Sequence, residues 1–107
     1  MRSVKEARAV AIVGLRHQEF IRLQHFVESS SLPFQLIYGG HISEGSNARK
    51  HAERASHSAQ LVLWNPNGAR KFAGGFLTHV EFRRIHGVSG ATLALQQHAE
   101  HRPRMVG

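Results

Sequence analysis

Ala9-Val10-Ala11-Ile12-Val13-Gly14-Leu15-Arg16-His17 is the stretch on which the fold turns. Five apolar residues with no polar interruption read as a strand buried on both faces, the mark of a parallel sheet covered by helices. The glycine that follows, with an arginine and a histidine close behind, reads as a turn from strand to helix. Three further runs repeat the arrangement. Phe34–Tyr38 is followed by Gly39-Gly40-His41, Leu61–Trp64 by Asn65-Pro66-Asn67-Gly68-Ala69-Arg70-Lys71, and Val80–Ile85 by His86-Gly87-Val88-Ser89-Gly90.

Between the runs the period changes. Residues 17–30 place Phe20, Leu23 and Val27 on one helical stripe, and Ser29-Ser30-Ser31 with Pro33 ends that helix. A second helix is expected from near Ser46, with Ala48, Ala52, Ala55 and Ala59 as a small-residue stripe suited to close packing on a sheet. Its other face carries Arg49, Lys50, Glu53 and Arg54. Phe72 and Phe76 have helical spacing, but Gly74-Gly75 should stop that third helix early. Ser89 is expected to N-cap a last helix running to about His101.

The order β-α-β-α-β-α-β-α with right-handed crossovers predicts an α/β fold. It is a small three-layer sandwich with a four-stranded, mainly parallel sheet in order 2-1-3-4, half of a Rossmann-like or flavodoxin-like domain. The expected organisation is a basic arm at 1–8, a single domain at 9–101 and a flexible basic tail at 102–107. The fourth strand is the most polar and belongs at an edge.

Composition narrows the chemistry. The chain has 107 residues and a formal charge of +7, and its cations are mostly arginine, whose planar fork suits phosphate. Nine histidines would add to that charge on protonation, so electrostatic binding should strengthen below about pH 6. No cysteine is present, which excludes thiol catalysis, zinc–thiolate sites and disulfides within this chain. No aspartate is present either, and all seven acids are glutamates. That removes a phospho-acceptor aspartate, an aspartate-built two-metal site and a Ser-His-Asp triad. No apolar run approaches the roughly 20 residues that cross a bilayer, and the N-terminus has no signal-peptide pattern. A cytoplasmic, non-membrane protein without a cofactor is expected.

If the four runs are parallel strands, their following loops line one carboxyl edge, where open α/β sheets bind ligands. The candidate phosphate-binding residues are therefore Gly14, Arg16 and His17 in the first loop, Gly40 and His41 in the second, Asn65, Arg70 and Lys71 in the third, and Ser89, Gly90 and Thr92 in the fourth. Ser89-Gly90 with Thr92 at a helix start offers free backbone N–H groups and two hydroxyls, either as a phosphate cup or as an ordinary serine cap. Arg16 stands over the central strands as an anion ligand or as a surface arginine. Asn65-Pro66-Asn67-Gly68 is chiefly turn chemistry. Tyr38 and Trp64 end strands and could offer rings to bases. His41 and Glu44 share a loop and could do acid–base work, but no nucleophile accompanies them, so catalysis is not expected. His98 and His101 lie on one helix face without a third metal ligand.

Through these turns the chain resembles a family of small uncharacterised bacterial domains (domain of unknown function 2325). Members carry Val-Gly-Gly-Arg after the first strand, a His-x-Gly-Gly loop after the second, Ser-His after the third and an Arg-x-Ser-Gly-like turn before the last helix. Val13-Gly14-Leu15-Arg16 keeps one glycine and the arginine, and Gly39-Gly40-His41 keeps the residue types in another order. His86-Gly87-Val88-Ser89-Gly90 with Ala94-Leu95 matches best, and Asn65-Pro66-Asn67 replaces the Ser-His pair. The resemblance implies a Rossmann-like module over roughly residues 9–98 and brings no activity with it.

The leading expectation is a non-enzymatic module binding nucleic acid or another phosphate-bearing ligand. A nucleotide-type sensor using the same cup, and a structural adaptor that dimerises through its edge strand, are the alternatives.

Overall fold

The computed structural model describes residues 8–69 and 81–100. The expected arm apart from Arg8, the tail, Arg70, Lys71, Val80, His101 and the part of the expected third helix beyond Ala69 lie outside these described residues. Strands β1 (Arg8–Val13), β2 (Phe34–Tyr38), β3 (Leu61–Trp64) and β4 (Glu81–Arg84) form one sheet in the order β2-β1-β3-β4. All three pairings are parallel, with Ile12 opposite both Tyr38 and Leu63, and Trp64 opposite Arg84. The α/β fold and strand order read from the sequence are those observed.

Helices cover both faces. The alternation along β1 and β3 sends Val10, Ile12, Leu61 and Leu63 to one face. There they meet Phe20, Leu23 and Val27 of α1 (His17–Ser29) and Ala91, Ala94 and Leu95 of α4 (Gly87–Glu100). Ala11, Val13 and Val62 point to the other face and meet Ala52 and Ala55 of α2 (Ala48–His57), with Ala69 of α3 (Pro66–Ala69). Ile12, Leu15, Leu23, Leu63 and Leu95 have no solvent exposure. Each such aliphatic side chain contributes roughly 1.5–3 kcal/mol by leaving water. The alanines of α2 do what their spacing predicts, bringing that helix close against β1.

Helix ends follow local rules where the partner is local. The backbone N–H of Arg16 donates to Oε1 of Glu19 at 2.9 Å, so the Glu19 side chain reaches back to cap the start of α1. At its far end the N–H of Ser31 donates to Glu28 and that of Leu32 to Val27, with Ser31 at φ 54°. This is the Schellman arrangement, closed by a serine where glycine is usual. A 3₁₀ stretch at Ile42–Asn47 precedes α2, which therefore begins two residues after Ser46. The last helix begins two residues before Ser89, so Ser89 lies in its first turn and is not its N-cap. Its actual cap comes from a different loop.

Candidate functional site

Because every strand runs the same way, the loops after β1, β2, β3 and β4 leave one edge of the sheet. The crossover directions reverse between β1 and β3, since α1 lies on one face and α2 with α3 on the other. That is the topological switch point, the crevice at which α/β sheets take ligands.

Asn65 occupies the crevice. It is only 8% exposed, and its side-chain Nδ2 donates to the carbonyl oxygen of Gly14 at 2.9 Å. Its Oδ1 accepts the backbone N–H of Gly87 at 3.3 Å, the first amide of α4. The backbone of the same residue donates to Val13 at 2.8 Å and accepts from Gly68 at 3.1 Å. One side chain thus ties the first, third and fourth loops together. Sequence reasoning assigned Asn65 mainly to a turn. Its partners are 51 and 22 positions away, and no local pattern reports them.

The packing there admits no side chain at two glycines. Gly14 has φ 97°, a left-handed conformation that glycine adopts without strain. A Cβ on Gly68 would run into the Gly14 carbonyl and lie 2.7 Å from Cδ2 of His41. Gly68 is therefore what lets the third loop press against the first and second.

Over this bridge stand the starts of α1 and α4, two helices of 13 and 14 residues packed on the same face of the sheet. Both direct the positive ends of their dipoles toward the carboxyl edge. Arg16, His17, His86 and Ser89 are exposed beside them, and the Arg16 guanidinium has no hydrogen-bond or ion-pair partner among the described residues. The Thr92 hydroxyl, by contrast, donates to the Ser89 carbonyl at 2.8 Å inside the helix. At Gly90 an added Cβ would meet Ile85 at an ordinary 3.6 Å.

The second loop is organised differently from its expected His41–Glu44 pair. His41 Nδ1 accepts the backbone N–H of Ser43 at 3.0 Å and lies 2.8 Å from its hydroxyl, so the ring caps the 3₁₀ stretch. Glu44 turns instead to Tyr38 and His51. The Tyr38 hydroxyl donates to Oε2 of Glu44 at 2.8 Å, and Nδ1 of His51 lies 3.3 Å from Oε1. A carboxylate only accepts, so His51 carries its proton on Nδ1 in this contact. The Tyr38 ring is packed among His17, Phe20 and His51 at centroid separations of 5.1, 5.2 and 5.3 Å. Burial, the hydrogen bond to Glu44 and the nearby carboxylate charges hold the Tyr38 hydroxyl well above the usual phenol range. Gly40 is buried beneath this cluster.

At the opposite, amino-terminal end of the sheet, Nη1 of Arg8 lies 2.8 Å from Nε2 of His98, whose ring packs on Phe34. Among the described residues no three histidine or glutamate side chains gather as metal ligands, and no helix is long and apolar enough to cross a membrane.

The fold and its switch-point crevice define an open, parallel α/β domain of the Rossmann-like or flavodoxin-like class. Comparison with protein-family models, curated proteins and solved structures returns no match.

Proposed function

We propose that the chain is a non-enzymatic module that binds a phosphate-bearing ligand, nucleic acid foremost, across the carboxyl edge of its sheet. The observation that carries this reading is the Asn65 bridge, which fixes the starts of α1 and α4 side by side. Two helix N-termini beside one unpaired arginine form an electropositive edge, and phosphate is the group such an edge accepts best. Arg16 supplies the fork, and the first-turn amides of α4 that follow the Asn65-capped Gly87, with the Ser89 hydroxyl, supply neutral donors. The charge of +7 adds attraction at a distance.

The test is a salt series of binding isotherms with single- and double-stranded oligonucleotides and with a mononucleotide. Affinity for the oligonucleotides should fall linearly with salt on logarithmic axes, as counterions are released. Arg16→Ala and Ser89→Ala should each weaken it. No measurable binding of any of these ligands at 50 mM salt overturns the reading. Tight mononucleotide binding with oligonucleotides inert would convert it to a nucleotide sensor.

A further inference from the structure

A second cationic feature lies beyond the α1/α4 edge, next to β2. Positions 47, 50, 51 and 54 are spaced i, i+3, i+4 and i+7, so Asn47, Lys50, His51 and Arg54 form one stripe of α2 and its cap. They line a groove of about 290 Å³. No acid and no apolar side chain is among these four lining residues. The size is informative: it falls just below the roughly 300–1,000 Å³ of small-molecule pockets, room for a phosphate and its sugar but not for a whole cofactor.

The groove is also held in shape. Both oxygens of Glu44 are engaged, one by the Tyr38 hydroxyl and one by Nδ1 of His51. The ring of His51 is fixed edge-on against Tyr38, at 82° and 5.3 Å. Glu44 is thus engaged in orienting His51, one of the residues that line the groove. Among the described residues neither Lys50 nor Arg54 has an ion pair. Two unpaired cations and an amide facing one groove match an anion with several acceptor oxygens, and Nε2 of His51 adds a donor only when both ring nitrogens are protonated.

We infer that this groove is a phosphodiester subsite, and that it takes the backbone of a single-stranded nucleic acid running along the carboxyl edge toward β2. The inference rests on the carboxyl-edge reading and extends it by naming the polymer and the place where its path continues. A polymer is favoured over a free nucleotide because His17 at the start of α1 and His51 in the groove pack on the same Tyr38 ring, at 5.1 and 5.3 Å, so the two sites adjoin around the end of β2. A chain with a phosphate at every residue can occupy both.

The deciding experiment is a fluorescence-anisotropy salt series on the full chain with a labelled single-stranded oligonucleotide. It compares wild type with Lys50→Ala, Arg54→Ala, Arg16→Ala and Arg22→Ala, the last removing an exposed arginine from α1 as a charge-matched control. Lys50→Ala and Arg54→Ala should each weaken binding about five- to tenfold at 50 mM salt and reduce the salt slope by about 0.7. Arg22→Ala should change affinity less than about twofold. If Arg54→Ala and Lys50→Ala behave like Arg22→Ala, the subsite is refuted, while a loss confined to Arg16→Ala leaves the carboxyl-edge reading standing. If the α2 variants lose affinity and Arg16→Ala does not, the subsite holds and the α1/α4 reading falls. Absence of binding by wild type refutes both. Circular dichroism of each variant confirms that all are folded before they are compared.

Discussion

Asn65 donates its side-chain amide to the carbonyl oxygen of Gly14, 51 positions earlier in the chain and 2.9 Å away. The bond closes the crevice between β1 and β3 from within, and the other end of the same amide holds the first N–H of α4. A buried side chain with both ends engaged fixes geometry, because each partner would otherwise be left without a hydrogen bond. Removing it should therefore cost more than one hydrogen bond. Asn65→Ala orphans a buried carbonyl and a partly buried N–H, and a loss of roughly 2–3 kcal/mol is expected. Urea unfolding should show a lower midpoint with an unchanged slope. Asn65→Asp should do no better, since it sets a carboxylate against the Gly14 carbonyl.

Gly68 makes the same junction possible by occupying no space. A methyl group there meets backbone at Gly14 and the ring of His41, and the backbone cannot swing aside as a flexible side chain would. Gly68→Ala should destabilise by about 2–4 kcal/mol, in the range of overpacked core substitutions. At Gly90, inside α4, a methyl finds ordinary contact with Ile85. Gly90→Ala should stabilise by about 0.5–1 kcal/mol through helix propensity. Opposite signs for these two Gly→Ala variants in thermal unfolding are the expected result.

The serine that closes α1 offers a test of the helix end alone. Ser31 holds φ 54° to let Leu32 and itself donate back to Val27 and Glu28. A side chain in that conformation costs about 1 kcal/mol or more, partly offset by the entropy that a glycine would lose on folding. Ser31→Gly should raise stability by about 0.5–1 kcal/mol, seen as a melting temperature higher by roughly 4 °C. An unchanged or lower melting temperature would show that the Ser31 side chain makes up the cost of its own backbone.

What the sequence made legible divides along the distance between partners. Ala9–Val13 announced a central strand because nothing polar interrupts it, and the order 2-1-3-4, the simplest arrangement for four such units, is the one observed. Phe20, Leu23 and Val27 marked the buried stripe of α1 for the same local reason. The site is where local reading stopped. Ser89 follows a glycine after a strand and so has the form of a cap, yet α4 begins at Gly87 and is capped by Asn65 from another loop. His41 and Glu44 share a loop, but the end of β2 and the first turns of α2 draw Glu44 to Tyr38 and His51 instead. Faces set by helix and strand period could be read. Side chains brought together by the sheet could not.

Tyr38 is the chain's one tyrosine, so its ionisation can be followed directly by absorbance near 295 nm. The hydroxyl is partly desolvated, donates to Glu44 and lies in the field of that carboxylate and of Glu19, all of which oppose loss of its proton. The folded protein should therefore show a phenol titrating well above 10, while the urea-unfolded chain titrates near 10. The sign of the linked stability follows. Below about pH 10 the tyrosine is protonated in both states and its contribution to stability is fully present. As pH rises further the unfolded state loses the proton first, and stability falls until the folded-state value is passed. Glu44→Gln removes the carboxylate charge while keeping an acceptor, so the folded midpoint should move down toward 10. The loss of stability in alkali should become shallower with it. A folded titration that coincides with the unfolded one would mean that the Tyr38 hydroxyl faces water and that Glu44 is not held between Tyr38 and His51.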